Sequence, residues 1–149
     1  MAVQSDTRPG EVSEARLHLP GGSFSLGVGV QALSPEQRSP GAYGLLLLDE
    51  QGDEAFTLEL LPRVGKGTAT GMVTTGSGEE RREQPLALPA DFAPHTLHQV
   101  RLVLDGRRLH LVVDEAHQWK GWLSVRPTSI ALFSRNMAAA FAAFELTMG

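Results

Sequence analysis

Residues 96–115, TLHQVRLVLDGRRLHLVVDE, decide the reading of this 149-residue chain. Apolar and polar residues alternate on both sides of Asp105-Gly106, and an Asp-Gly pair between two alternating runs signals a two-residue β-hairpin turn. Pairing outward from that turn sets Leu104 opposite Arg107, Leu102 opposite Leu109 and Val100 opposite Leu111. The apolar pairs then share one face, while Arg101, Val103, Arg108 and His110 share the other and Val112 extends it. Directly after the hairpin, HQWKGW (117–122) holds both tryptophans of the chain and reads as a short loop.

The same period-two pattern continues outward in both directions. EARLHLP (14–20) alternates Ala15, Leu17 and Leu19 with Arg16 and His18. After a turn at Gly21-Gly22, Phe24, Leu26, Val28 and Val30 alternate with Ser25, Gly27 and Gly29, so one strand face is nearly bare and can take a larger covering group. SPEQRSPG (34–41) reads as a loop by its prolines and charges. AYGLLLLD (42–49) and AFTLELLPR (55–63) read as partners across the EQGDE turn, and the unbroken run Leu45–Leu48 marks a strand covered on both faces. Met72–Thr74 supplies a further strand, GSGEERRE (76–83) a solvated hairpin tip, and PLALPADFAPH (85–95) an extended connection. Toward the C-terminus, residues 129–134 form a strand. The alanine-rich end invites a helix, but Phe144, Leu146 and Met148 alternate with Glu145 and Thr147, so the prediction is a strand from about Ala140 to Met148. Ten to twelve strands in two sheets result, with 1–10 as a disordered lead-in and 11–149 as a single domain.

Composition bounds the function. With 16 glycines and nine prolines breaking the chain into strand-length pieces, an all-β domain is expected. The absence of cysteine excludes disulfides, thiolate zinc sites and cysteine nucleophiles. A formal charge of −4 gives no overall attraction for phosphate backbones, so nucleic acid is not expected as a partner. The polar start MAVQSDTRPG has no apolar signal-peptide core, and no run reaches membrane-spanning length. The compartment stays open: a secreted or cell-associated location follows only if the chain is a fragment of a larger enzyme.

Two phrases carry a family resemblance. His98, Arg101 and Gly106, with Val113 and Asp114 one residue further on, stand close to a pattern of the type H-x-x-R-x-x-x-x-G-x-x-x-x-x-V-D. Ile130, Leu132, Phe133, Ala140, Phe141, Phe144 and Leu146 stand in one resembling GxxGLFxxxxxAxFxxFxL. Residues 92–148 thereby resemble the end of the concanavalin A-like lectin/glucanase superfamily as it occurs in accessory jelly-roll domains of bacterial glycoside hydrolases, and residues 15–60 do so loosely. The resemblance implies a jelly-roll sandwich of two curved antiparallel sheets, adjacent N- and C-terminal strands, and a concave face that often carries a carbohydrate site. The alanines at 138–140, 142 and 143 depart from the pattern, as does the lack of glycine in TSIAL.

Chemistry is sparse by comparison. A retaining glucanase needs two carboxylates roughly 5 Å apart, and the superfamily's ExDxxE arrangement is missing. Asp49, Glu50, Asp53 and Glu54 surround a glycine and read first as a solvated turn; Asp49 and Asp53 are also weak calcium candidates. The five histidines form no HExxH motif or tight pair, no serine sits in GxSxG, and VGKGTATG (64–71) makes a poor phosphate loop. The tryptophans are more informative, because aromatic faces stack on sugar C–H groups while polar side chains fix hydroxyls. The expected ligand site therefore comprises Trp119, Tyr43, Arg101, His110, Asp114, Gln118 and Trp122, with Trp122 equally suited to plugging an end of the sandwich. The resulting expectation is a non-catalytic carbohydrate-binding or accessory domain whose partner is an oligosaccharide or polysaccharide. One alternative is a structural domain docking on a catalytic domain of the same polypeptide or on its own copy. Another is a small glycoside hydrolase or lyase.

Overall fold

A computed structural model describes residues 3–6, 12–19, 23–33, 41–61, 70–76, 78–86, 88, 96–135 and 138–148. These form twelve strands: β1 (Val3–Asp6), β2 (Val12–His18), β3 (Phe24–Ala32), β4 (Ala42–Leu48), β5 (Glu54–Leu61), β6 (Thr70–Thr75), β7 (Arg82–Leu86), β8 (His98–Asp105), β9 (Arg108–Val113), β10 (His117–Trp122), β11 (Ser129–Arg135) and β12 (Ala138–Met148). One antiparallel sheet runs β1-β12-β3-β8-β9-β10 and the other β2-β11-β4-β5-β6-β7. The two face one another as the expected concanavalin A-like jelly-roll sandwich, with β1 beside β12.

The core follows from strand parity. Leu26, Val28, Leu102, Leu104, Leu109 and Leu111 point inward from the first sheet, against Tyr43, Leu45, Leu47, Phe56 and Leu58 from the second, all essentially without solvent exposure. Strand β4 is buried at every position, because its other face carries a second apolar cluster of Leu46, Leu48 and Phe133. The glycine-lined side of β3 and the polar sides of β8 and β9 are left on the outer face of the first sheet.

Several expectations need correction. The β8–β9 register is displaced by two residues: Asp105 pairs with Arg108, Leu104 with Leu109, Leu102 with Leu111 and Val100 with Val113. Gly106, with φ 64°, takes the first loop position and Arg107 the second, the sign pattern of a turn with glycine leading. A slip of two leaves every side chain on its expected face, so the core assignment survives. Within the expected lead-in, Val3–Asp6 pairs with Ala138–Phe141, which satisfies backbone groups that would otherwise leave β12 as an open edge. HQWKGW is not a loop but strand β10, and Arg82 and Glu83 belong to β7 rather than to a hairpin tip. The Gly21-Gly22 turn, residues 34–40, residues 64–69 and residues 89–95 lie outside the described residues.

Candidate functional site

The outer face of the β1-β12-β3-β8-β9-β10 sheet carries an open groove of about 760 Å³. Cross-strand register builds it as rows. Glu145, Gly27, Arg101, Val112 and Gln118 form one row from β12 to β10, and in the next row, Thr147, Ser25, Val103, His110 and Lys120, only Thr147 and Ser25 line the groove. Gly27 is its floor, since a Cβ there would meet nothing within 4 Å. Arg101 and Glu145 stand on either side of that floor, two strand spacings apart, or roughly 10 Å between backbones. The other glycine of the bare face, Gly29, is covered: a Cβ there would sit 3.0 Å from Leu97.

Backbone strain gathers on the groove's rim. Among the described residues, Asp114 (φ 53°), Glu115 (φ 59°) and Ala143 (φ 53°) are the non-glycine residues in the left-handed region, and all three line the groove. The first two form the tight β9–β10 turn, closed by the Ala116 N–H donating to the Val113 carbonyl at 3.1 Å. Ala143 sits where β12 slips register against β3, between Ala142 and Glu145, and the bulge aims Glu145 and Thr147 at the groove. Each left-handed residue costs on the order of 1–2 kcal/mol.

The turn is held by the Asp114 carboxylate. Its Oδ1 accepts from the Gln99 backbone N–H at 2.9 Å, and its Oδ2 lies 2.6 Å from His98 Nδ1. His98 Nε2 is in turn 3.0 Å from Thr96 Oγ1. Beneath them the Tyr43 hydroxyl is fully buried with no hydrogen-bond partner among the described residues. Burial, and secondarily the Asp114 charge, push its ionisation well above the usual tyrosine range.

The expected site residues therefore separate. Arg101, Asp114 and Gln118 line the groove, and His110 lies on the same face, its Nε2 3.0 Å from Gln118 Oε1. Tyr43 is a core residue and offers no stacking face. Trp119 points inward, tilted against Phe56 with ring centroids 5.5 Å apart, and donates from Nε1 to Gln84 Oε1 at 2.6 Å. It seals the side of the sandwich between β10 and β7. Trp122, expected in the ligand site or as a plug at an end of the sandwich, is 67% exposed on the outer face with the Arg108 guanidinium 5.1 Å from its ring centre. The two tryptophans lie on opposite faces, Trp119 inward and Trp122 outward, because HQWKGW is a strand.

Asp49 closes the turn between β4 and β5. Its Oδ1 accepts from the Gln51 and Asp53 N–H groups, each at 2.9 Å, and among the described residues no group of three or more acidic or histidine side chains converges on a point. Sequence reading missed Gln99, Glu115, Glu145 and Thr147. Parity places Gln99 beside Arg101, and Glu145 and Thr147 opposite Phe144 and Leu146, so that signal was present; the bulge at Ala143 left none.

No protein-family profile matches the sequence, and no curated protein sequence is similar to it. Solved structures match the fold. The CBM2 module of the evolved Dit of Lactobacillus casei BL23 phage J-1 superposes with a TM-score of 0.69 at 12% identity, over 96% of this chain and 74% of that one. Alginate lyase AlyC3 in complex with dimannuronate gives 0.65 at 12%, over 98% and 73%. Sheep galectin-11 in complex with glycerol gives 0.62 at 12%, over 96% and 100%. The similarity establishes a shared architecture that serves both enzymes and non-enzymes.

Proposed function

We propose that this chain is a non-catalytic carbohydrate-binding module, an accessory to a larger polysaccharide-processing enzyme, and that its glycan lies over Gly27 on the outer face of the β1-β12-β3-β8-β9-β10 sheet. One observation carries the reading: the strained residues Asp114, Glu115 and Ala143 all stand on the rim of a polar groove with a glycine floor. Strain of that kind persists where the surroundings hold it for a purpose. Arg101, Gln99, Gln118 and Glu145 supply donors and acceptors that fix hydroxyls. Trp122, two rows or roughly 13 Å further along the strands, supplies a stacking face for an extended ligand. Occurrence of the fold in AlyC3 with its bound dimannuronate supports a sugar as the ligand class. No reaction is assigned. Affinity per sugar is low, because hydroxyls must exchange water for protein partners.

Heteronuclear NMR titration with plant, microbial and animal oligosaccharides tests the reading. Saturable shifts at Gln99, Arg101, Gln118 and Glu145 are expected, and their loss in Gly27→Phe, which fills the floor without a core clash. Silence across the panel, or unchanged shifts in Gly27→Phe, overturns it. A docking role on a catalytic domain or a second copy is the alternative, favoured by the exposure of Trp122 on the edge strand β10. Self-association that Trp122→Ala abolishes would support it.

A further inference from the structure

We propose that the groove selects cationic glycans, chains bearing unsubstituted amino sugars, over neutral chains and over uronates. This inference rests on the groove being a glycan site and names the chemistry it takes. The ionisable lining consists of Arg101 against Asp114, Glu115 and Glu145, one cation and three carboxylates, hence a formal −2. Asp114 is committed to His98 and the Gln99 N–H. Glu115 and Glu145, by contrast, make no hydrogen bond or ion pair among the described residues. They approach from two sides, Glu145 from β12 beside the Gly27 floor and Glu115 from the β9–β10 turn. Gln118 Oε1 is already 3.0 Å from His110, so these carboxylates are the strongest acceptors left.

An ammonium carries three donors and a charge, and charge-assisted hydrogen bonds are roughly twice as strong as neutral ones. A neutral diol can donate to the same oxygens without the charge term. A uronate would bring its carboxylate among three others, with Arg101 the one cationic side chain among the described residues that line the groove itself. The ranking ammonium over hydroxyl over carboxylate follows, and salt weakens it because the groove is open to solvent.

The test is calorimetric titration of the intact chain with three tetrasaccharides, a glucosamine oligomer, a glucose oligomer and a mannuronate oligomer, at low and high salt. Each titration is repeated with the Glu115→Gln/Glu145→Gln pair and with Glu79→Gln/Glu80→Gln, which changes net charge equally but far from the groove. The glucosamine oligomer is expected to bind on the order of tenfold tighter than the glucose oligomer. That advantage should vanish in the groove pair and persist in the distant pair. Equal or tighter binding of glucose or mannuronate overturns the selectivity while leaving the glycan site standing. Equal loss in both variant pairs also overturns it, since the preference would then be a property of net charge. If none of the three binds, and the wider panel also fails, the glycan reading itself falls.

Discussion

At Tyr43 a single residue joins core and site. It is the only tyrosine in the chain, so its phenolate absorbance titrates without overlap. Its folded-state ionisation lies above the unfolded value of about 10, so the contribution it makes is fully present below that pH and declines as pH rises beyond it. The expected result is that phenolate appears only together with loss of the folded signal, and that Tyr43→Phe removes part of the alkaline destabilisation. At neutral pH Tyr43→Phe should be neutral or stabilising by up to about 1 kcal/mol, because it deletes a buried hydroxyl that has no partner among the described residues. The rim residues behave in the opposite sense for function. Ala143→Gly relieves about 1–2 kcal/mol of left-handed strain and adds roughly 0.5–1 kcal/mol of backbone entropy cost. The urea midpoint should therefore rise while glycan affinity falls, as the rim loses its fixed shape. A gain in both would show that the strain has no part in binding. Arg101 was legible as a groove residue from hairpin parity, whereas Asp114 and Gln118 were named for their nearness to the tryptophans. Tyr43 was not legible, because AYG beside glycines looks alike whether the ring turns inward or outward.

Elements were easier to read than their ends. The strands around Phe24–Val30, Phe56–Leu60 and Val100–Val113 announce themselves by period two and Leu45–Leu48 by its unbroken apolar run, and the C-terminal strand overrides its alanine content because pairing with both β1 and β3 satisfies its backbone. The hairpin slip arose because Asp-Gly fits two placements of the loop, and face parity cannot separate registers that differ by two. HQWKGW was missed because glycine and lysine between tryptophans hide an alternation of inner Trp119 with outer Trp122. Strand β1 was missed for a more general reason: VQSD has little to bury, and its pairing comes from an unsatisfied neighbour rather than from its own side chains. Deleting residues 1–10 should consequently expose the β12 edge. Lower thermal stability and concentration-dependent association by sedimentation are expected; a monomer of unchanged stability would mean that β12 does not need the pairing.

The whole molecule sets a ligand length that no single residue shows. The Gly27 floor and Trp122 share one face, but the Asp105–Arg108–Trp122 row lies two rows beyond the Gly27–Arg101–Gln118 row, so a disaccharide seated on the floor cannot reach the indole. Arg108 already occupies the neighbourhood of that ring, holding it in place at little further entropic cost to a bound sugar. Affinity should then rise with chain length until the glycan reaches Trp122 and level off beyond it. Trp122→Ala should leave disaccharide binding unchanged while weakening hexasaccharide binding roughly five- to tenfold, in keeping with about 1–1.5 kcal/mol for an aromatic contact. Calorimetry on a length series reads both effects. Equal weakening at every length would place Trp122 inside the primary site, and no weakening at any length would return it to the role of a docking residue on the β10 edge.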